Sequence, residues 1–218
     1  MDQPALPAVL ARFTADVAEE LAATYDDQVV YPHRIGVERP GLADGNFPGW
    51  LTPVLVIAVE NQGVCAWGVP LDGDDDPPVL VGGELGDGTV RTVRYAAHVE
   101  AYINARRWDG ACLASSLLLQ AQAEVLDDKS LAYLRACYEE LPSTSGWPGE
   151  VTYRFHAGGV RIMLWAGSDQ CDWFVSGPDA DRLSEATTAL LSYSDLRSSL
   201  WSNDIAGQTL LDQIRRTR

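Results

Sequence analysis

Residues 57–70 read IAVENQGVCAWGVP, an apolar run that stops at Glu60-Asn61-Gln62-Gly63, restarts at once and carries Trp67. Just upstream, Pro53 opens VLVIAVE, aliphatic and β-branched with no helical period, the pattern of a strand covered on both faces. Gly63 to Val69 reads as a second strand. The fragment is therefore an antiparallel hairpin, with Asn61-Gln62 at its tip and Gly63 tolerating a positive φ. The run stops because the chain turns. Asp72 to Pro78 is acidic and ends in two prolines, so it cannot stay in a ladder and reads as a loop; VLVGG, from Val79, is a third short strand.

Outward from this hairpin, residues 4–24 read as an amphipathic helix, with Val9, Leu10, Phe13, Val17 and Leu21 on one face and Pro4 and Pro7 at its start. A Gly- and Pro-rich loop spans Tyr31 to Trp50, with a short strand near Val29-Val30-Tyr31. Helices are expected to dominate 94–141: Tyr95, Val99, Tyr102, Ile103 and Arg106 keep helical spacing, as do Leu131, Leu134, Tyr138 and Leu141. The stretch 110–150 is the candidate joint. VTYRFH, the Gly158-Gly159 turn and VRIMLWA make a hairpin, QCDWFVS a third strand, and Asp179 caps a helix carrying Leu183, Ala186, Leu190 and Leu191. A last helix starts near Asn203. The expectation is an α+β fold, a central, largely antiparallel sheet with helices packed around it. Residues 1–110 hold the N-terminal helix and the hairpin; 111–218 hold helices, C-terminal strands and a helix, packed into the same domain.

Composition bounds the function. Seven tryptophans, eight tyrosines and 46% hydrophobic residues suffice for a sizeable core. Asp and Glu number 31 against 16 Lys and Arg, a formal net charge of −15. Such a charge repels phosphate backbones and anionic membrane surfaces and steers a basic protein partner. The opening MDQPALPAVLARF has no secretory pattern, and no apolar stretch is long enough to span a bilayer. Cys65, Cys112, Cys137 and Cys171 form no CxxC pair and read as reduced structural thiols, which makes the cytoplasm the expected location.

Few chemistries fit. Asp72, Asp74 and Asp76 match positions 1, 3 and 5 of a calcium loop, but Pro77 replaces its glycine and Gly83 its bidentate glutamate. His33, His98 and His156 make no zinc motif, and no GxSxG elbow is present. GGELGDG (82–88) lacks a phosphate-loop spacing and its lysine, and reads as a turn. Glu60 with the aspartates is a candidate carboxylate pair for acid–base work, though exposed loop carboxylates are common. No catalytic centre, metal or cofactor is expected.

The ordered combination Val59-Glu60-Asn61-Gln62-Gly63-Val64-Cys65-Ala66-Trp67, then Asp76-Pro77-Pro78-Val79, resembles the central signature of the SUKH superfamily. That group contains the SMI/KNR-type cell-wall regulators and many bacterial immunity proteins. The resemblance covers about residues 50–110, including the helical stretch from Val93 to Trp108. It implies an α+β fold and a non-catalytic, adaptor-like function, in bacteria usually the neutralisation of a toxin. The expected role is an immunity protein meeting a basic, nuclease-type toxin domain through Glu60, Gln62, Asp72, Asp74, Asp75 and Asp76. Asn61, Gly63, Trp67, Pro77 and Pro78 are expected to shape the motif. The alternatives are a regulatory scaffold resembling the cell-wall members and a hydrolase using Glu60 and the aspartates.

Overall fold

The computed structural model describes residues 10, 13–22, 28–29, 37–38, 49–71, 76–85, 90–192, 196 and 199–216. The chain forms two compact units, Met1–Arg107 with Thr144–Pro148, and Trp108–Ser143 with Gly149–Arg218. The α+β class expected from the sequence is what the structure has, with antiparallel strands forming one sheet in each unit.

The first unit is built on strands β1 (Gln28–Val29), β2 (Val37–Glu38), β3 (Val54–Val59), β4 (Cys65–Pro70), β5 (Val79–Glu84) and β6 (Val90–Ala96), ordered β1-β3-β4-β5-β6 with β2 also on β3. Because side chains alternate along a strand, β3, β4 and β5 each serve two apolar layers. Leu55, Ile57, Cys65, Trp67, Val69, Val79, Val81 and Tyr95 enter one core. There they meet Ala18 and Leu21 of α1 (Ala15–Ala22), and Val99, Tyr102 and Ile103 of α2 (Val99–Leu113). Val54, Val56 and Ala66 point the other way and are covered by Trp50. The sheet is thus apolar on both faces, as VLVIAV requires.

Of the N-terminal helix, residues 15–22 are helical and Thr14 Oγ1 accepts the Val17 N–H at 3.3 Å; Phe13 precedes the helix, and 4–9, 11–12 and 23–24 lie outside the described residues. Tyr95 belongs to β6 rather than to a helix. Val93 and Tyr95 alternate with Arg94 in the strand period, and only from Val99 does the helical spacing hold.

The second unit contains β7 (Leu118–Ala123), β8 (Glu139–Ser145, which continues into the first unit at Thr144), β9 (Val151–Ala157), β10 (Val160–Ala166) and β11 (Cys171–Ser176), ordered β7-β11-β10-β9-β8. Its helices are α3 (Asp128–Cys137), α4 (Ala180–Leu190) and α5 (Ile205–Arg216). Leu119, Phe155, Ile162, Leu164, Trp173 and Val175 form the main core with Leu134, Leu183, Leu190, Leu210 and Leu211. Gly158 (φ 57°) and Gly159 (φ 85°) make the β9–β10 turn, and Asp179 caps α4 by accepting the Arg182 N–H at 2.8 Å. Strand β7, and Glu139–Leu141 at the start of β8, stand in the stretch 94–141 where helices were expected to dominate. In β7, Leu119 and Ala121 alternate with Gln120 and Gln122, a period of two that short alanine and glutamine side chains disguise.

Candidate functional site

The hairpin turn is held by its own acid. Glu60 is 8% exposed, and its Oε2 accepts the N–H of Gln62 at 2.7 Å and of Val64 at 3.4 Å. The Gly63 N–H donates to the Glu60 carbonyl and the Glu60 N–H to that of Cys65, both at 2.9 Å. Gly63 takes φ 77° with open space around it, while Asn61 and Gln62 are exposed. Trp67 is fully buried, edge-on to Tyr95 at 5.9 Å, with the Arg106 guanidinium 5.0 Å from its ring centroid. Trp67 is therefore core, and the Glu60 carboxylate serves the turn beneath the exposed tip.

The aspartate loop is elsewhere. Val59 pairs with Ala66 at one end of the β3–β4 ladder and Val54 with Pro70 at the other, and Gly68 pairs with Leu80 near the start of β5. Glu60 and Asp76 thus flank opposite ends of a six-residue ladder, roughly 20 Å apart at about 3.3 Å per residue. The structure does not bring these two carboxylates together as an acid–base pair. Asp76 is exposed, Pro77 buried and Pro78 half-buried; Asp72, Asp74 and Asp75 lie outside the described residues, as do 86–88 of GGELGDG, whose first three residues belong to β5.

At this second end lies an open groove of about 400 Å³, lined by Leu51, Thr52, Pro70, Pro78, Leu80, Thr92, Val93 and Arg94. The segment that carries its Leu51 and Thr52 is anchored by the preceding Trp50. A Cβ on Gly68 or Gly82 would come within 3.2 Å of the Trp50 ring, so these two glycines leave the space the indole occupies. The Thr92 hydroxyl bonds the Gly49 carbonyl, tying the segment before β3 to β6. Sequence reasoning placed Trp50 at the end of a loop and missed this face; the signal was a glycine at the outward position of each of two neighbouring strands.

Elsewhere the polar chemistry is internal. Arg154 of β9 and Asp109 of α2 form a bidentate pair at 2.6 and 2.7 Å, 1% and 3% exposed. Burial pushes the Cys112 and Cys171 thiols up to about 12; Cys65 is buried, Cys137 exposed, and none of the four is in a disulfide. His98 Nδ1 accepts the Ala101 N–H at 3.1 Å, His156 Nε2 lies 3.4 Å from Glu139, and His33 is outside the described residues. Among the described residues no three His, Cys, Asp or Glu side chains gather as a metal site, and no helix is long and apolar enough to cross a membrane. Comparison of the chain with protein-family models, curated proteins and solved structures gives no match.

Proposed function

We propose that this chain is a cytoplasmic, non-catalytic binding protein of the SUKH type, an immunity protein that neutralises a basic, nuclease-type toxin domain. The observation that carries the reading is the acidic connection between Pro70 and Pro78, whose Asp76 is exposed and whose two end prolines, Pro70 and Pro78, line an open groove. A toxic nuclease is basic where it holds its substrate's phosphates. A partner of net charge −15 is attracted to that surface and covers it. The Glu60 carboxylate supports the contact indirectly, by fixing the hairpin from which Gln62 projects.

The test is co-expression with the product of the adjacent open reading frame, which this reading expects to be a basic toxin domain. Wild type is expected to protect cells and to co-purify with the toxin, and replacing Asp74, Asp75 and Asp76 with Asn is expected to weaken both. A housekeeping biosynthetic enzyme as the sole specific partner establishes the scaffold reading instead. Hydrolytic turnover that vanishes in Glu60→Gln overturns both binding readings.

A further inference from the structure

The groove adjoins the acidic connection, whose Asp76 is exposed, and its frame is held by contacts within the sheet. Leu51 is 83% exposed at its rim, and Pro78 and Leu80 are half-buried along it. A large aliphatic side chain left in water this fully is unfavourable, and covering it would return roughly 25 cal/mol per Å² of apolar surface. A volume of about 400 Å³ is at the small end for ligand sites, and this one is open rather than enclosing. It suits an anchoring side chain presented by a protein segment.

The frame is built before any partner arrives. Pro70 and Pro78 have fixed φ, and Pro70 is buried in the last position of β4. Trp50 is seated on Gly68 and Gly82, and the Gly49 carbonyl is held by Thr92, so Leu51 and Thr52 are carried by an anchored segment. The Leu71 N–H donates to the Pro53 carbonyl at 3.0 Å, which pins the point where the acidic connection leaves the sheet. Such preorganisation lowers the ordering cost of binding.

Charge selects the flanks of the anchor. The connection joining the two rim prolines reads LDGDDDP, with four carboxylates in its sequence. Among the described residues the one cation lining the groove, Arg94, has its guanidinium turned to the Ala97 carbonyl at 3.1 Å. We propose that the groove seats an aliphatic or aromatic side chain from a lysine- or arginine-flanked segment of the protein partner, the cations facing the Asp76 side. This rests on the binding-protein reading and adds the chemistry of the segment recognised.

The full chain is titrated with an acetylated, amidated hexapeptide, Lys-Lys-Leu-Phe-Lys-Lys, alongside versions with serine for both apolar residues or glutamate for every lysine. Amide shifts are followed by NMR. The parent peptide is expected to shift Leu51, Thr52, Leu80 and Thr92, and to bind about tenfold more tightly than the serine version. Leu51→Ser, at a position too exposed to disturb folding, should weaken the parent about fivefold, and Asp76→Asn should weaken it only at low salt. Equal binding of parent and serine peptides overturns the groove proposal and leaves acidic steering standing. Preferred binding of the glutamate peptide overturns it in favour of an anion on Arg94. So does self-association abolished by Leu51→Ser, which makes a second copy the occupant, and so does no binding of any peptide. Failure of the wider reading is separate: wild type then neither protects cells against the adjacent gene's product nor co-purifies with it.

Discussion

Gly63 and Gly83 are both glycines at positive φ, yet they answer to different constraints. Gly63 has open space around its Cα at φ 77°, so only backbone strain opposes a side chain there. Gly63→Val is expected to cost about 1–2 kcal/mol, and Gly63→Asn clearly less, because asparagine enters the left-handed region more readily. At Gly83, with φ 148°, a Cβ would run into the Val64 carbonyl oxygen and lie 2.7 Å from the Cα of Cys65. Gly83→Ala should therefore destabilise more than Gly63→Val in urea titrations, and the reverse order would sink this account. The thiols give a second residue-scale expectation. Burial lifts Cys112 and Cys171 from an ordinary 9.0 to about 12, so the folded state retains protons the unfolded chain releases. Their contribution to stability is full below about pH 9 and is lost as pH rises towards about 12. Urea midpoints measured from pH 8 to pH 11 should fall, less steeply in Cys112→Ala; at neutral pH a thiol reagent should label only Cys137 until the chain unfolds.

At the scale of elements, the Arg154–Asp109 pair joins β9 to α2 inside the second unit. Arg154 also donates to the Pro142 and Thr152 carbonyls at 3.4 Å, so its guanidinium is the hub of a buried polar network. Asp109→Ala strands that cation and is expected to cost about 3–5 kcal/mol, whereas replacing both partners with apolar residues of similar volume should cost far less. A denaturation midpoint unmoved by Asp109→Ala would show the pair to be incidental. Neither residue was legible in the sequence, because they are 45 positions apart and each sits in a segment whose period says only helix or strand. What was legible were elements whose own residues settle them: VLVIAV, the Gly158-Gly159 hairpin, and the Asp179 cap. β7 and β8 were missed because Leu-Leu-Gln-Ala-Gln-Ala and Glu-Glu-Leu-Pro-Ser-Thr-Ser have weak intrinsic preferences, and strand pairing decides their state. Of the candidate site, the sequence showed Asp76-Pro77-Pro78 as a turn that leaves the ladder, but only the register shows that the Glu60 turn lies at the other end. The groove depends on Trp50 meeting two glycines from other strands, a contact no local pattern encodes.

For the molecule as a whole, a net charge of −15 acts on folding and on association with opposite signs. Within the folded chain it is self-repulsion, which salt relieves. The exposed ion pairs Glu20–Arg107, Arg135–Glu140 and Arg182–Glu185 lose strength at the same time, but solvent-exposed pairs of this kind contribute little to stability. The buried Arg154–Asp109 pair, at 1% and 3% exposure, is screened much less. Raising salt from about 10 mM to about 0.3 M, which shortens the Debye length from about 30 Å to below 10 Å, should therefore raise the melting temperature. Between this chain and a basic toxin domain the same charge is attraction, so the same salt should slow association, and most of the loss of affinity should appear in the on-rate. Substituting Asn for Asp74, Asp75 and Asp76 removes three charges where the contact is proposed. Stability should stay within about ±0.5 kcal/mol, because Asp76 is exposed and surface changes of this kind are small. The on-rate should fall at low salt and converge on the wild-type value as salt rises. A wild-type on-rate indifferent to salt, or a triple variant as fast as wild type at 10 mM, would show that the acidity serves solubility alone and that the loop takes no part in recognition.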